Sequence, residues 1–338
     1  MVRTTPGATT ARAALALLLT SASALAGSTT ASASDARASG TPASGTRAAG
    51  TRAADTRAPY PVPYSLVGGF FADPAAGLNP SAAPPGANDW TCKPTAAHPE
   101  PVVLLHGLGG NQRLNWSTMA PLLANNGYCV YSLTYGNHGT LPVGGLESMR
   151  GSARKVSDLV DKVLRQTGAR KVKLVGHSEG STVAAYYLKK LGGARKADTL
   201  VGISPNYRGT ELYGLTKLAN SLPPGLDDVL EKGCKACKEF SPDSAFTRDL
   251  NSGGTAAVPG VRYTNVQGAV EEVVVPNSSG TLRVPNAVNL RVNKGCPSDL
   301  SDHVSLVASR RMSQITLNAL DPAHPHKLPC AFNPPFLN

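Results

Sequence analysis

The residues Gly176-His177-Ser178-Glu179-Gly180 have types and spacing that could carry nucleophilic chemistry. An apolar run precedes this Gly-x-Ser-x-Gly sequence and a helical pattern follows it, which predicts a strand, a sharp turn and a helix. Glycines two residues either side of Ser178 leave room for the turn, which presents the serine at its tip. A serine hydroxyl is a weak nucleophile until a histidine removes its proton. The segment predicts a nucleophilic Ser178; a chance match of five common residues is the alternative.

Two backbone N–H groups are candidate donors to an oxyanion formed at that serine. Glu179 follows Ser178 directly, and Leu108 lies in the glycine-rich loop 106–111 after an apolar strand. Glycines allow backbone N–H groups to approach a substrate closely, and ligands of a parallel sheet bind beyond the carboxyl ends of its strands. An ordinary glycine-rich turn is the alternative for the loop, although its place before a Gly-x-Ser-x-Gly sequence favours the functional interpretation.

His303 is the candidate general base, because a serine nucleophile in this architecture is followed along the chain by an acid and then a histidine. It comes after the apolar strand 287–292 and begins a helical face that runs through Val304, Val307, Ala308, Met312 and Ile315. The other six histidines lie before the nucleophile, in the two turns or in a proline-rich tail: His98, His106, His138, His177, His324 and His326. A histidine on the surface of a loop is the alternative for His303.

The acid that orients the histidine is expected after the strand 261–267, where Glu271 and Glu272 occur. Either carboxylate could hold the imidazole and stabilise its charged form, and solvated loop charges are the alternative. Asp299 and Asp302 compete for the role. Residues so close in sequence to His303 are more often turn or helix-capping groups.

The elements that must position these residues alternate between strand and helix. Apolar runs at 101–107, 127–135 and 198–204 predict buried strands, and spacings of three and four residues after Val156 predict an amphipathic helix that ends at Gly168. Repeated alternation of this kind predicts a parallel sheet with helices on both faces. The roughly 280 residues after position 58 are enough for one large core.

The first 58 residues are predicted to lie outside that domain. Residues 1–26 have the two arginines, the apolar run and the Ala-Leu-Ala cleavage site of a secretory signal peptide, with cleavage after Ala33 as a second possibility. Residues 27–58 consist almost entirely of Ala, Ser, Thr, Gly and Arg, which predicts a disordered linker or pro-region. The protein is therefore expected to be secreted, with residues 59–338 as its catalytic domain and without a stable membrane anchor.

Charge and cysteine content are consistent with an exported globular protein. The formal net charge of +11 falls to about +9 without the signal peptide, and basic residues are not interleaved with aromatics, so nucleic acid is not an expected partner. Six cysteines predict three disulfides, and sequential pairing is the simplest of the possible connectivities: Cys92–Cys129, Cys234–Cys237 and Cys296–Cys330. A redox or metal site at Cys234-x-x-Cys237 is the less favoured alternative, because no second cysteine pair lies near a histidine.

Residues 88–322 resemble the secreted bacterial class 2 lipases and, more distantly, Candida antarctica lipase B. The matching segments are Asn88-Asp89-Trp90-Thr91-Cys92, Val103-Leu104-Leu105-His106-Gly107, Gly176-His177-Ser178-Glu179-Gly180, Glu271-Glu272-Val273-Val274-Val275-Pro276 and Asp302-His303. The resemblance implies an α/β-hydrolase fold, a Ser-acid-His triad and hydrolysis of carboxylic esters. The family motif at the acid is Tyr-Asp-Glu-Val-Val-x-Pro, so the catalytic aspartate corresponds to Glu271, which has one more methylene.

The expected function is therefore hydrolysis of lipid esters by Ser178, Glu271 and His303 through an acyl-enzyme, with no metal or cofactor and with the protein acting as a monomer. A polyester or bulky-ester hydrolase, an acyltransferase and an inactive binding protein on the same scaffold are the alternatives. The long segment 207–240 has leucines at helical spacing before Pro223. It is interpreted either as a lid or acyl-binding wall at a lipid–water interface or as a helix packed on the core.

Overall fold

Six strands form one parallel sheet in the order β2-β1-β3-β4-β5-β6. The computed structural model describes residues 59–137, 141–211 and 233–335. The strands are β1 (Val102–Leu105), β2 (Val130–Leu133), β3 (Val172–His177), β4 (Ala197–Ile203), β5 (Arg262–Gln267) and β6 (Ala287–Arg291). The predicted parallel sheet is confirmed, and β3, the strand that leads to Ser178, lies in its interior.

The described helices occur mainly between these strands. They are α1 (Leu66–Ala72), α2 (Pro74–Gly77), α3 (Gln112–Asn115), α4 (Met119–Asn125), α5 (Met149–Thr167), α6 (Glu179–Lys190), α7 (Lys235–Glu239), α8 (Ala245–Leu250) and α9 (Arg310–Leu320). Short 3₁₀ helices occupy Gly193–Arg195, Asn277–Gly280 and Ser305–Ala308. The predicted helix before Gly168 is α5, which begins seven residues before the first position of the predicted apolar pattern.

The sheet has an apolar core on each face, because successive side chains of a strand point to opposite sides. Val103, Leu105 and Leu174 belong to the cluster that includes side chains of α5 and α6. Val102, Leu104 and Val175 belong to the cluster that includes side chains of α4 and α9. Helices therefore cover both faces, as predicted, and β3 is buried along its whole length.

Both ends of α5 follow local rules that the sequence contains. The Ser148 side chain accepts a hydrogen bond from the N–H of Gly151 at 3.1 Å, which satisfies one of the free donors of the first turn. Gly168 adopts a left-handed φ of +74° and its N–H donates to Leu164 O. A residue with a Cβ would be strained there, so the glycine ends the helix.

The last helix begins later than the sequence pattern predicts. Residues 304–315 were expected to form one helical face, but Ser309 has an extended backbone and separates a 3₁₀ turn from α9. The Ser309 hydroxyl accepts the N–H of Met312 and donates to Asp299 Oδ2 at 3.0 Å, so the serine caps α9 and the buried Asp299 holds it. His303 accordingly lies on a loop before a short turn.

The six cysteines are joined in sequential pairs: Cys92–Cys129, Cys234–Cys237 and Cys296–Cys330. The first bridge ties the segment before β1 to the residue before β2, and the third ties the loop after β6 to the C-terminal tail. The predicted signal peptide, residues 1–26, and linker, residues 27–58, lie outside the described residues. Within the described chain, no helix has the length and apolar character needed to cross a membrane.

Candidate active site

Ser178 lies in a tight turn between β3 and α6. Its φ of +50° is unusual for a residue with a side chain, and backbone strain of this kind is frequent at functional sites. A Cβ at Gly176 would lie 2.5 Å from Ser181 N, and one at Gly180 would lie 2.0 Å from Leu105 O. Both glycines are therefore required by close backbone packing, which is the reason the Gly-x-Ser-x-Gly spacing predicts the turn.

Glu271 and His303 form a buried pair, although they follow different strands. His303 Nδ1 lies 2.7 Å from Glu271 Oε1, and both side chains are almost completely enclosed. The same oxygen of Glu271 accepts the N–H of Val274 at 3.0 Å, and Oε2 accepts the hydroxyl of Ser204 at 2.6 Å. These donors fix the carboxylate so that it can hold the imidazole in one orientation.

The environment of the pair favours its charged forms. Burial opposes ionisation of Glu271, but the neighbouring His303 and the hydrogen bonds from His303, Ser204 and Val274 lower the pKa of its carboxyl to about 2. Burial likewise disfavours the imidazolium of His303, yet the attraction of Glu271 outweighs it and raises the His303 pKa above 6.5. The imidazole is therefore a stronger base than an isolated one.

The competing carboxylates have other partners. Glu272 reaches only the backbone N–H of His303, at 3.4 Å from its Oε2. Asp302 Oδ1 accepts the N–H groups of Val304 and Ser305 at 2.7 Å, and so caps the 3₁₀ turn. The geometry favours Glu271 over its neighbour, and Asp302 acts as the capping group that its sequence position indicates.

Leu108 and Glu179 lie on the two segments that meet at Ser178. A Cβ at Gly107, which precedes Leu108, would lie 3.3 Å from Ser178 Cβ, so the loop after β1 passes directly beside the serine. Neither the N–H of Leu108 nor that of Glu179 donates to an acceptor in the described part of the chain. Both predicted donors are therefore available for a substrate oxygen.

His177 was assigned to the turn alone, but its side chain contacts the backbone of His303, the predicted base. Its Nε2 lies 3.0 Å from the carbonyl oxygen of His303, and its Nδ1 lies 2.9 Å from Asn115 Oδ1. Burial, reinforced by the His303 charge, lowers the pKa of His177 to about 3. A neutral imidazole has one N–H and donates to one of these two oxygens at a time. Asn115 Oδ1 also accepts the N–H of Gly107 at 3.1 Å, so this side chain links the glycine-rich loop 106–111 to His177, which in turn contacts the backbone of His303.

The side chain of Glu179 is buried and does not line the cavity that contains Ser178. It is 0% exposed, and neither carboxyl oxygen has a hydrogen-bond partner among the described residues. A Cβ at Gly145 would lie 2.7 Å from Oε2, which places the carboxyl against the segment that follows β2. Burial, with a contribution from Glu239, raises the pKa of the Glu179 carboxyl well above its ordinary value, which favours the neutral form of the group.

A cavity of about 510 Å³ opens over the nucleophile. Ser178, His303 and Leu108 line its base, and Leu66, Val67, Phe70 and Phe71 of α1 line its mouth. The Ser178 hydroxyl makes no hydrogen bond within the described residues, and contacts between a nucleophile and its base often tighten only with substrate present. In the described ranges, no three His, Cys, Asp or Glu side chains group together as a metal site would require.

The segment proposed as a lid, 207–240, lies partly outside the described residues, because 212–232 are among those not described. Its two described ends carry the large side chains Tyr207 and Phe240, which are buried in the core. Neither of these side chains lines the cavity. The lid interpretation therefore remains a prediction, and the described apolar lining of the cavity comes from α1 together with Leu108, Leu114, Val304 and Val307.

Three contributors to the site were not singled out from the sequence. Ser204 at the end of β4 holds Glu271, and the only signal for it was a hydroxyl at the carboxyl end of the neighbouring strand. Asn115 at the end of α3 contacts His177 across 62 positions, which no local pattern reveals. Helix α1 precedes the first strand, outside the alternating pattern that directed attention to the later loops.

A family model described as Lipase (class 2) matches residues 99–308, which include all five predicted catalytic and oxyanion residues. Lipase B of Aspergillus fumigatus is similar in structure, with a TM-score of 0.54 and 17% identity, over 72% of this chain and 56% of that one. Mature lipase BlEst2 of Bacillus licheniformis has a TM-score of 0.51 and 18% identity, over 67% of this chain and 94% of that one. The predicted α/β-hydrolase fold is confirmed by these similarities. This chain spans just over half the length of the Aspergillus lipase.

Proposed function

Because the chain belongs to the class 2 lipase family, a family of carboxylic ester hydrolases, we propose that it is a secreted serine hydrolase that cleaves lipid esters. The observation that carries the proposal is the buried Glu271–His303 pair, 2.7 Å apart, at the base of the same apolar-walled cavity that contains Ser178. A buried Glu–His pair that shares a cavity with a serine on a strained turn has the chemical capacity for acyl transfer.

The first half of the proposed reaction forms an acyl-enzyme. Ser178 Oγ attacks the ester carbonyl while His303 Nε2 takes the hydroxyl proton. Glu271 stabilises the imidazolium that results, and the N–H groups of Leu108 and Glu179 bind the negative oxygen of the tetrahedral intermediate. His303 then gives its proton to the leaving alcohol as the carbon–oxygen bond breaks.

The second half repeats these steps with water as the nucleophile. His303 takes a proton from water, the hydroxide attacks the acyl carbonyl, and the same two N–H groups stabilise the second tetrahedral intermediate. Collapse of that intermediate releases the fatty acid and returns the proton to Ser178. The chain's own residues provide each proton transfer in this scheme.

Export of the protein is supported by two independent features. The signal-peptide pattern of residues 1–26 directs a chain to a secretory route. The three disulfides of the described domain are typical of proteins that function in oxidising compartments. Both features support the proposal that the enzyme acts on lipid esters outside the cell.

The test is hydrolysis of p-nitrophenyl esters from acetate to palmitate, together with a triglyceride emulsion, by the wild type and by Ser178→Ala. We expect the variant to lose at least 10³-fold in kcat/KM on every ester, because the nucleophile is gone. Labelling by a fluorophosphonate probe should disappear with it. Near wild-type turnover by Ser178→Ala would rule out the mechanism, and a wild type that neither labels nor turns over would favour the inactive binding-protein alternative.

A further inference from the structure

Helix α1 presents an apolar surface to solvent at the mouth of the catalytic cavity. Its sequence, Leu-Val-Gly-Gly-Phe-Phe-Ala, contains no charged residue, and none of its residues is buried. Phe71 is 71% exposed and Val67 is 51% exposed, which is unusual for large apolar side chains placed side by side. Both line the cavity that contains Ser178, as do Leu66 and Phe70.

The backbone of α1 is nevertheless fixed in place. The Ser65 hydroxyl caps the helix by accepting the N–H of Gly68 at 2.9 Å, and the guanidinium of Arg310 lies 3.9 Å from the ring of Tyr64. A Cβ at Gly69 would lie 2.7 Å from Ser117 Oγ, so this glycine lets α1 pack closely against Ser117. Thr118 Oγ1 donates to Pro63 O. The apolar side chains are thus held towards the cavity by a supported helix.

We infer that α1 is the wall that binds the acyl chain of long-chain ester substrates, with Phe71 and Val67 as its outermost contacts. The inference rests on the proposed ester hydrolysis, because Ser178 at the base of the cavity fixes where the carbonyl end of the substrate lies. An acyl chain that leaves this carbonyl towards solvent passes the exposed side chains at the mouth. Among the described cavity-lining residues, the large apolar side chains that are exposed are those of Val67, Phe71 and Val304. Burial of those side chains against an acyl chain is favourable.

Two features of the chain make this assignment specific. Residues 66–72 precede the residues 99–308 that match the family model, so the family pattern does not assign a role to α1. The ends of the segment predicted to be a lid, Tyr207 and Phe240, are buried in the core. Among the described residues, the exposed part of the apolar lining therefore comes from α1, with Val304 as the other contributor.

The experiment compares Val67→Ser/Phe71→Ser with a matched control, Val288→Ser/Phe332→Ser. Val288 and Phe332 are 55% and 69% exposed, close to the values for Val67 and Phe71, and neither lines the catalytic cavity. We expect the ratio of kcat/KM for dissolved p-nitrophenyl octanoate to that for the acetate to fall about tenfold in the α1 variant, because octanoate loses its apolar contacts. The control should keep the wild-type ratio. The single variant Phe71→Leu, which keeps a large apolar side chain, should retain most of that ratio.

A binding measurement separates this inference from the proposed function. In the Ser178→Ala background, a dansyl-labelled undecanoate should bind about tenfold more weakly when the two α1 substitutions are added, whether or not the wild type hydrolyses esters. An unchanged octanoate-to-acetate ratio together with unchanged probe binding would overturn the inference. Equal losses in the α1 variant and in the control would overturn it as well, since exposure alone would then explain the effect.

Discussion

Glu271 and Glu179 are both fully buried near Ser178, but the protein treats the two carboxyl groups in opposite ways. Glu271 accepts hydrogen bonds from Ser204, Val274 and His303, and the pKa of its carboxyl is lowered to about 2. Glu179 has no described partner, and its pKa is raised well above the ordinary value. Burial alone favours the neutral carboxylic acid, and hydrogen-bond donors placed around a carboxylate reverse this preference.

Replacement of Glu271 should have the largest effect. Glu271→Gln keeps the shape but removes the negative charge that orients His303 and stabilises its charged form, and we expect kcat/KM to fall about 10³- to 10⁴-fold. Glu272→Gln is the matched control and should cost less than about threefold, since Glu272 contacts only a backbone N–H at 3.4 Å. The reverse order of the two variants would assign the acid to Glu272.

The pH profile of the same variant tests the charge directly. His303 must be neutral to accept a proton, and its pKa is raised above 6.5 mainly by Glu271 against the effect of burial. Wild-type kcat/KM should therefore decline as the pH falls through that raised pKa, and the residual activity of Glu271→Gln should decline only at lower pH. If kcat/KM declined at the same acidic pH in the wild type and in Glu271→Gln, Glu271 would not set the basicity of His303.

Loss of a single donor should have an intermediate effect. Ser204→Ala removes the hydroxyl that lies 2.6 Å from Glu271 Oε2, and a hydrogen bond to a buried charge contributes about 1.5–3 kcal/mol. We expect the free energy of unfolding at pH 7 to fall by about that amount and kcat/KM to fall about tenfold. Because Ala and Ser have the same Cβ, the strain at the Ser204 φ of +44° is similar in both proteins, and unchanged stability and kcat/KM in Ser204→Ala would show that the hydroxyl does not hold Glu271.

Glu179 should affect stability in a pH-dependent manner. A carboxyl group whose pKa is raised in the folded state stabilises that state below its unfolded pKa of about 4.3, and this contribution is lost as the pH rises towards the folded pKa. Tyr135 and Glu239 are the titratable groups that interact with it. Glu179→Gln cannot ionise, so its stability relative to the wild type should increase as the pH rises above about 4.3, the unfolded pKa, towards the raised folded pKa. The free energy of unfolding in urea measures this difference. If the difference between Glu179→Gln and the wild type did not change with pH, the pKa of Glu179 would be the same in the folded and unfolded states.

The parts of the molecule that could be predicted from the sequence are those set by local patterns. Apolar runs between turn residues located all six strands, and the glycines around Ser178 indicated a turn that the backbone packing requires. The chain order of nucleophile, acid and histidine led to Ser178, Glu271 or Glu272, and His303. Those roles remain predictions until the variants are measured.

Contacts between distant residues could not be predicted in this way. Ser204 approaches Glu271 only because β4 and β5 are neighbours in the sheet, and Asn115 approaches His177 only because α3 lies over the end of β3. The start of α9 was placed too early, because the apolar pattern continues through Ser309. In the structure, Ser309 is extended, bonds the buried Asp299 and ends the preceding turn. Such effects depend on the assembled fold, and a single sequence contains no periodic signal for them.

The order of the strands also has a consequence for how catalytic competence develops during folding. The glycine-rich loop 106–111, which contains the predicted oxyanion donor Leu108, follows β1, whereas Glu271 and His303 follow β5 and β6 at the other side of the sheet. Parallel strands pair across long chain separations, and such contacts form late because long loops must close first. Hydrolysis of a chromogenic ester during refolding would therefore report completion of the whole sheet, and its lag behind the recovery of helical signal would measure the time between collapse and the native state.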